Sequence, residues 1–137
     1  MLKVYIDGGS RGNPGDAAIG VVVYNDKGEE IYRFGEKIGA KTNNVAEYSA
    51  LIRALEHLVK MISNPDEKIL IYSDSELLVK QINGIYKVKN KKLKTLYDKA
   101  KGLLKNFKNI EIKHIVREKN TVSDWIVNRV LDNREYN

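Results

Sequence analysis

Four carboxylates stand where a fold could gather them: Asp7, Glu47, Asp74 and Asp124. Asp7 closes a short alternation, Val4-Tyr5-Ile6-Asp7, of the kind a half-buried strand shows. Gly8, Gly9, Ser10, Arg11, Gly12, Asn13, Pro14 and Gly15 follow, and their composition predicts that the chain turns directly after Asp7. Backbone without side chains can also approach a ligand closely. Asp74 comes just after Ile69-Leu70-Ile71-Tyr72, where a strand hands over to a helix, the usual ligand crevice of open α/β sheets. Glu47 and Asp124 fall in the expected first turns of two helices. Each acid alone has a plainer reading; Glu47, for instance, suits a helix start through the dipole. Together they point to a hard divalent cation, which takes oxygen ligands and relieves the mutual repulsion of the acids. The chain has no cysteine and only two histidines, His57 and His114, so no zinc-type ligand cluster competes. Two such ions about 4 Å apart can activate a water and stabilise the leaving oxygen in phosphoryl transfer.

The elements that must position these acids are readable from period and punctuation. Strands are expected over Lys3 to Asp7, Ile19 to Tyr24 and Glu30 to Gly39, an antiparallel meander with a turn at Asn25-Asp26-Lys27-Gly28. Thr42, Asn43 and Asn44 offer helix caps. Tyr48, Leu51, Ile52, Leu55, Leu58, Val59 and Ile62 then form one apolar stripe, ended by Asn64-Pro65-Asp66. Lys68 to Tyr72 reads as a fourth, central strand. A short helix follows as far as Gly84, and an amphipathic one runs from Leu93 to Phe107. Ile110 to Val116 reads as the fifth strand. Arg117-Glu118-Lys119-Asn120 is a polar connection, and Asn120, Thr121 or Ser123 could cap a last helix through Trp125, Ile126, Val130 and Leu131. The fold class is α/β: a five-stranded mixed sheet, three antiparallel strands then two parallel ones, flanked by helices. No repeat or linker interrupts residues 1–137, so one domain is expected.

The bulk properties narrow the partners. With 137 residues and 42% apolar residues, the chain has enough material for a packed core. No apolar run approaches the roughly 20 residues of a membrane span. Met1-Leu2-Lys3 enters a strand at once, so no signal peptide is expected. These features lead us to expect a cytoplasmic protein, acting as a monomer without a membrane partner. The formal charge is +6, and residues 77–108 carry ten lysines against one acid, Asp98. That segment fits a polyanion-binding surface beside an acidic site, or a merely solvated face.

Taken together, Asp7-Gly8-Gly9-Ser10 with Gly12-Asn13-Pro14-Gly15, Thr42-Asn43-Asn44 with Ala46-Glu47-Tyr48, Ser73-Asp74-Ser75, and Arg117-Glu118-Lys119-Asn120 leading to Asp124 resemble type 1 ribonuclease H over essentially the whole chain. The resemblance implies a ribonuclease H-like fold and cleavage of the RNA strand of RNA/DNA hybrids, leaving a 5′-phosphate and a 3′-hydroxyl. It implies Mg²⁺, two ions per site when substrate is bound, with Mn²⁺ as a substitute. By the same resemblance Asp7 bridges both ions. Glu47 and Asp74 help hold the ion at the leaving 3′-oxygen, with Glu47 near the RNA 2′-hydroxyl, and Asp124 helps hold the ion at the attacking water. Gly8, Gly9, Ser10, Asn43 and Asn44 are implied to meet the minor groove, where the 2′-hydroxyls are displayed. Asn13 and Thr42 are implied to bind a DNA-strand phosphate, and Tyr86 to lie against the DNA sugars.

Three features depart from many members of that family. The loop before Asp124 has no histidine; Arg117, Glu118 or Asn120 are the residues available to replace it, a pattern similar to archaeal and some bacterial members. His57 and His114 are read as structural. The long basic protrusion of some bacterial enzymes is absent, and Lys87, Lys89, Lys91, Lys92 and Lys94 are the substitute phosphate-binding strip. Ser123 stands where the family usually has alanine, and is expected to cap the last helix. A non-catalytic binding module of the same fold would not need four repelling acids. A phosphate loop is disfavoured because the glycine turn lacks the Gly-Lys-Ser/Thr ending and runs into a strand, not a helix. Double-stranded RNA stays open as a second substrate.

Overall fold

A computed structural model describes residues 1–137. The alternation at the start of the chain does form a strand, β1 (Leu2–Gly12), but it runs well past Asp7. Val4 and Ile6 face one side of the sheet, where they join the large apolar cluster, and Tyr5 faces the other. β1 pairs antiparallel with β2 (Gly15–Tyr24), which pairs antiparallel with β3 (Glu30–Lys41). Gly8 and Gly9, expected to turn the chain, instead pair with Ile19 and Ala18. The turn falls at Gly12-Asn13-Pro14-Gly15, with a cis Asn13–Pro14 bond. The reason is tertiary: the glycines in the strand serve close packing rather than a change of direction.

Helix α1 (Asn43–Met61) starts at an N-cap Thr42, whose hydroxyl accepts the Val45 N–H. Its stripe of Tyr48, Leu51, Leu55 and Leu58 is fully buried against β1 and the neighbouring strands, whereas Val59 is 41% exposed. β4 (Ile69–Ser73) pairs parallel with β1, and β5 (Ile110–His114) pairs parallel with β4. The sheet order is β3-β2-β1-β4-β5, so the centre is β1 and not β4. α2 (Glu76–Ile82) and α3 (Lys91–Leu104) lie between β4 and β5 in sequence. A 3₁₀ turn at Arg117–Lys119 leads to α4 (Thr121–Leu131).

The two faces of the sheet are covered unequally. α1, α2 and α3 enclose a cluster of 22 buried apolar residues. α4 covers the other face with a cluster of five, Ala18, Val22, Ile126, Val127 and Val130. No helix is long and apolar enough to cross a membrane.

Candidate metal centre and nucleic-acid face

The site forms because two glycines let helices touch the sheet. Asp7 lies two residues beyond Tyr5, so it faces α4, and its cross-strand partner is Gly20. A Cβ on Gly20 would stand 2.4 Å from the Ser123 carbonyl oxygen. The bare backbone there lets the first turn of α4 lie on β2 and carry Asp124 towards Asp7. On the opposite face, a Cβ on Gly8 would stand 2.2 Å from the Ala46 carbonyl oxygen. α1 therefore rests directly on β1, and the Gly8 N–H donates to Glu47 Oε1 at 2.7 Å. Glu47 is the fifth residue of α1, in its second turn, and only 8% exposed, so it does not serve the helix start.

Asp74 arrives from the same end of the sheet. The β1–β4 ladder stops at Ile6 and Ser73, and the next residue on each strand is an acid. Ser75 then caps α2, its hydroxyl accepting the Leu78 N–H, which leaves Asp74 in the junction. One carboxylate oxygen from each of Asp7, Glu47 and Asp74 lies within 4.8 Å of the others. Asp124, half-buried in the first turn of α4, stands at the rim with the Arg117 guanidinium 3.8 Å away.

The electrostatics follow from this crowding. Burial pushes the Asp7 carboxyl up to about 8, with Asp74 and Asp124 adding to the effect and Arg117 opposing it. Glu47 is held well above the ordinary carboxylate range, first by burial and then by Asp7 and Asp74; the Gly8 N–H and Arg117 oppose the shift. Arg117 is 80% exposed and cannot neutralise the group. An all-oxygen donor set under this repulsion fits a hard divalent cation such as Mg²⁺ or Mn²⁺.

The acids sit in a cleft of about 360 Å³ that also takes in Gly8, Gly9, Ser10, Arg11, Asn43, Arg117 and Asn128. The Ser10 N–H donates to Asn43 Oδ1 and the Asn43 N–H to Asn13 Oδ1, both at 3.0 Å. These bonds tie the β1–β2 hairpin to the start of α1. Arg11 and Asn128 were not expected: Arg11 reaches Asp132 at 2.5 Å, and its guanidinium lies 3.4 Å from the Asn128 side chain. Only the i, i+4 spacing of Asp124 and Asn128 on one helix signals the latter.

Other expected contacts lie outside the cleft. Thr42 is occupied as a cap, Asn44 is exposed beside it, and Glu118 points to solvent. Tyr86, Lys87 and Lys89 sit on the exposed link between α2 and α3, with Lys80 Nζ 5.0 Å above the Tyr86 ring. That link is anchored to the core: Tyr48 donates to Gln81 Oε1 at 2.6 Å, and Gln81 donates to the Lys87 carbonyl at 3.3 Å. Asn120 is buried, not a rim residue, and Ser123 does not cap α4 but donates to Asn120 Oδ1. His57 packs on Phe34 at 4.3 Å and bonds Tyr32, away from the acids.

A five-stranded sheet in this order, with acids gathered where β1 and β4 part, defines the ribonuclease H-like class. A family described as reverse transcriptase-like matches residues 5–130. A ribonuclease H1 solved in complex with an RNA/DNA hybrid superposes with a TM-score of 0.93 at 43% identity, covering 97% of this chain and 98% of that one. Ribonuclease HI of Halobacterium salinarum is 38% identical over 131 residues, 96% of this chain and 64% of that protein. A bifunctional protein of Mycobacterium tuberculosis is 40% identical over 96% of this chain, which spans only 36% of that protein's length. The chain belongs to the type 1 ribonuclease H family.

Proposed function

We propose that the chain is an endonuclease that hydrolyses the RNA strand of RNA/DNA hybrids and leaves 5′-phosphate and 3′-hydroxyl ends. The observation that carries this reading is the convergence of Asp7, Glu47 and Asp74 within 4.8 Å at the floor of an open cleft. Asp7, Glu47, Asp74 and Asp124 would hold Mg²⁺, or Mn²⁺ in its place. Bound there, divalent ions supply Lewis-acid activation of water and stabilise charge on the leaving oxygen. The chain's own residues bind and orient the duplex. The Gly8–Ser10 backbone and the Asn43 side chain border the acids and offer polar groups to the minor groove. A minor groove carrying 2′-hydroxyls is what marks the RNA strand. Tyr86, Lys87 and Lys89, held by Gln81 and Tyr48, would receive the DNA strand, with the α3 lysines beyond them. All four acids come from one chain, which supports action as a monomer. Double-stranded RNA would be a poorer substrate.

The test is cleavage of a hybrid labelled on each strand in turn, with Mg²⁺, Mn²⁺ or EDTA. Single-stranded RNA, double-stranded RNA and double-stranded DNA run beside it. Metal-dependent cutting of the RNA strand, abolished in Asp74→Asn with hybrid binding kept, is the expected result. Tight hybrid binding without cutting in either metal would leave a binding module instead.

A further inference from the structure

We infer that Asn120 is a positioning residue for the acid cluster and that Ser123 fixes the direction in which its amide faces. The inference rests on the hydrolytic reading above. Asn120 is 1% exposed and Ser123 is completely buried. Asn120 Nδ2 lies 2.8 Å from the Ile6 carbonyl oxygen and 3.2 Å from Asp74 Oδ2. Both partners only accept, so the amide nitrogen must be the group that meets them. The opposite edge of the amide, Oδ1, lies 2.5 Å from Ser123 Oγ, which can donate. Flipping the amide would set oxygen against a carbonyl and a carboxylate, an unfavourable pairing of acceptors.

A capping role gives no account of this arrangement. Asn120 occupies the N-cap of α4, where an asparagine side chain ordinarily accepts an N–H of the first turn. Here it makes no such bond. Its side chain turns inward instead, and its carbonyl takes the Asp124 N–H at 3.3 Å. One residue thus touches all three segments that meet beneath α4: β1 immediately before Asp7, Asp74 itself, and the turn bearing Asp124. It also sits where the β1–β4 ladder ends at Ile6 and Ser73, so it supplies the bond to β1 that the ladder no longer can. Asp74 is thereby held beside Asp7 in spite of like-charge repulsion. Ser123→Ala would leave the buried Asn120 Oδ1 without a donor and free the amide to turn.

Two variants test this, each assayed for hybrid cleavage, for Mn²⁺ binding by calorimetry without nucleic acid, and for thermal melting. Ser123→Ala is expected to lower kcat about tenfold with KM for hybrid unchanged, and to weaken Mn²⁺ binding about threefold. Its melting point should stay within about 5 °C of wild type. Asn120→Leu, similar in size and uncharged, should lower kcat at least about 100-fold and weaken Mn²⁺ binding about tenfold. If Asn120→Leu does not fold, Ser123→Ala decides alone. Ser123→Ala with kcat and Mn²⁺ affinity both within about twofold of wild type would overturn the inference, as would a loss that vanishes when the assay is cooled well below its melting point. A wild-type protein that cleaves no hybrid would sink the hydrolytic reading instead, while the Mn²⁺ affinities would still report on Asn120.

Discussion

The acid cluster has two halves that are held by different means. Asp7 and Glu47 are 7% and 8% exposed and are gripped by backbone, where α1 rests on β1 and the Gly8 N–H meets Glu47. Asp74 and Asp124 are half-buried and ride on the ends of elements, tied in by the Asn120 amide and by exposed Arg117. The buried half is electrostatically strained in the absence of a cation, since desolvation and repulsion both favour its protonated forms. Electrostatic strain thus belongs chiefly to the buried pair, while the outer pair is placed by side chains outside the sheet.

Four perturbations would break or sharpen that contrast. Asp7→Asn should have the largest effect, lowering cleavage at least about 1000-fold. It should also stabilise the metal-free fold. The Asp7 carboxyl has a folded pKa of about 8 against an ordinary 3.8. Its stabilising contribution is therefore complete below about pH 4 and is lost as pH rises through about 8. Metal-free wild type should weaken between those limits, and the advantage of Asp7→Asn should grow to the order of 2 kcal/mol by about pH 8. Denaturant melts in EDTA across that range check the slope; an advantage that shrinks with rising pH would reverse the assignment.

Gly8→Ala attacks the grip itself. Its Cβ would collide with the Ala46 carbonyl, forcing α1 off β1 and moving Glu47. Stability should fall by about 3 kcal/mol, and kcat by about 100-fold. A variant with wild-type melting and activity would show that the contact is not needed. Asp124→Asn, on the outer half, should cost only about tenfold in kcat with KM little changed; a loss matching Asp7→Asn would erase the distinction between the halves. The smallest effect on chemistry belongs to Lys87, Lys89 and Lys91 changed together to Glu. Hybrid binding should weaken about tenfold and its salt dependence flatten, with kcat at saturation within about twofold. An unchanged salt slope would return those lysines to a solvated face.

The sequence carried the five strands and their antiparallel and parallel senses, the helices and the four acids, because period and punctuation are local signals; it did not carry which strand lies at the centre. What it concealed has non-local causes. Gly8 and Gly9 read as a turn because glycine usually breaks strands, yet they stay in β1 so that α1 and α4 can approach it. Glu47 was expected in the first turn of its helix and lies in the second, since nothing local reveals that Asn43 opens the helix and that β1 lies beneath that turn. Ser123 read as a cap, but its hydroxyl serves the Asn120 side chain, which the distant Ile6 carbonyl and Asp74 turn inward. Arg11 lay inside a stretch whose glycines drew attention to backbone, and its place in the cleft depends on Asn128 and Asp132 of the last helix and its end.

The central claim, that Asp7, Glu47 and Asp74 form a divalent-cation site, is tested most directly by titrating the protein with Mn²⁺ near pH 7 in two buffers of different ionisation enthalpy. Asp7 holds a proton there when no cation is bound, since its carboxyl titrates at about 8. The account predicts saturable Mn²⁺ binding accompanied by proton release from the Asp7–Glu47 pair, with both the affinity and the release reduced in Asp7→Asn. Binding that releases no proton, or that persists unchanged in Asp7→Asn, would contradict it.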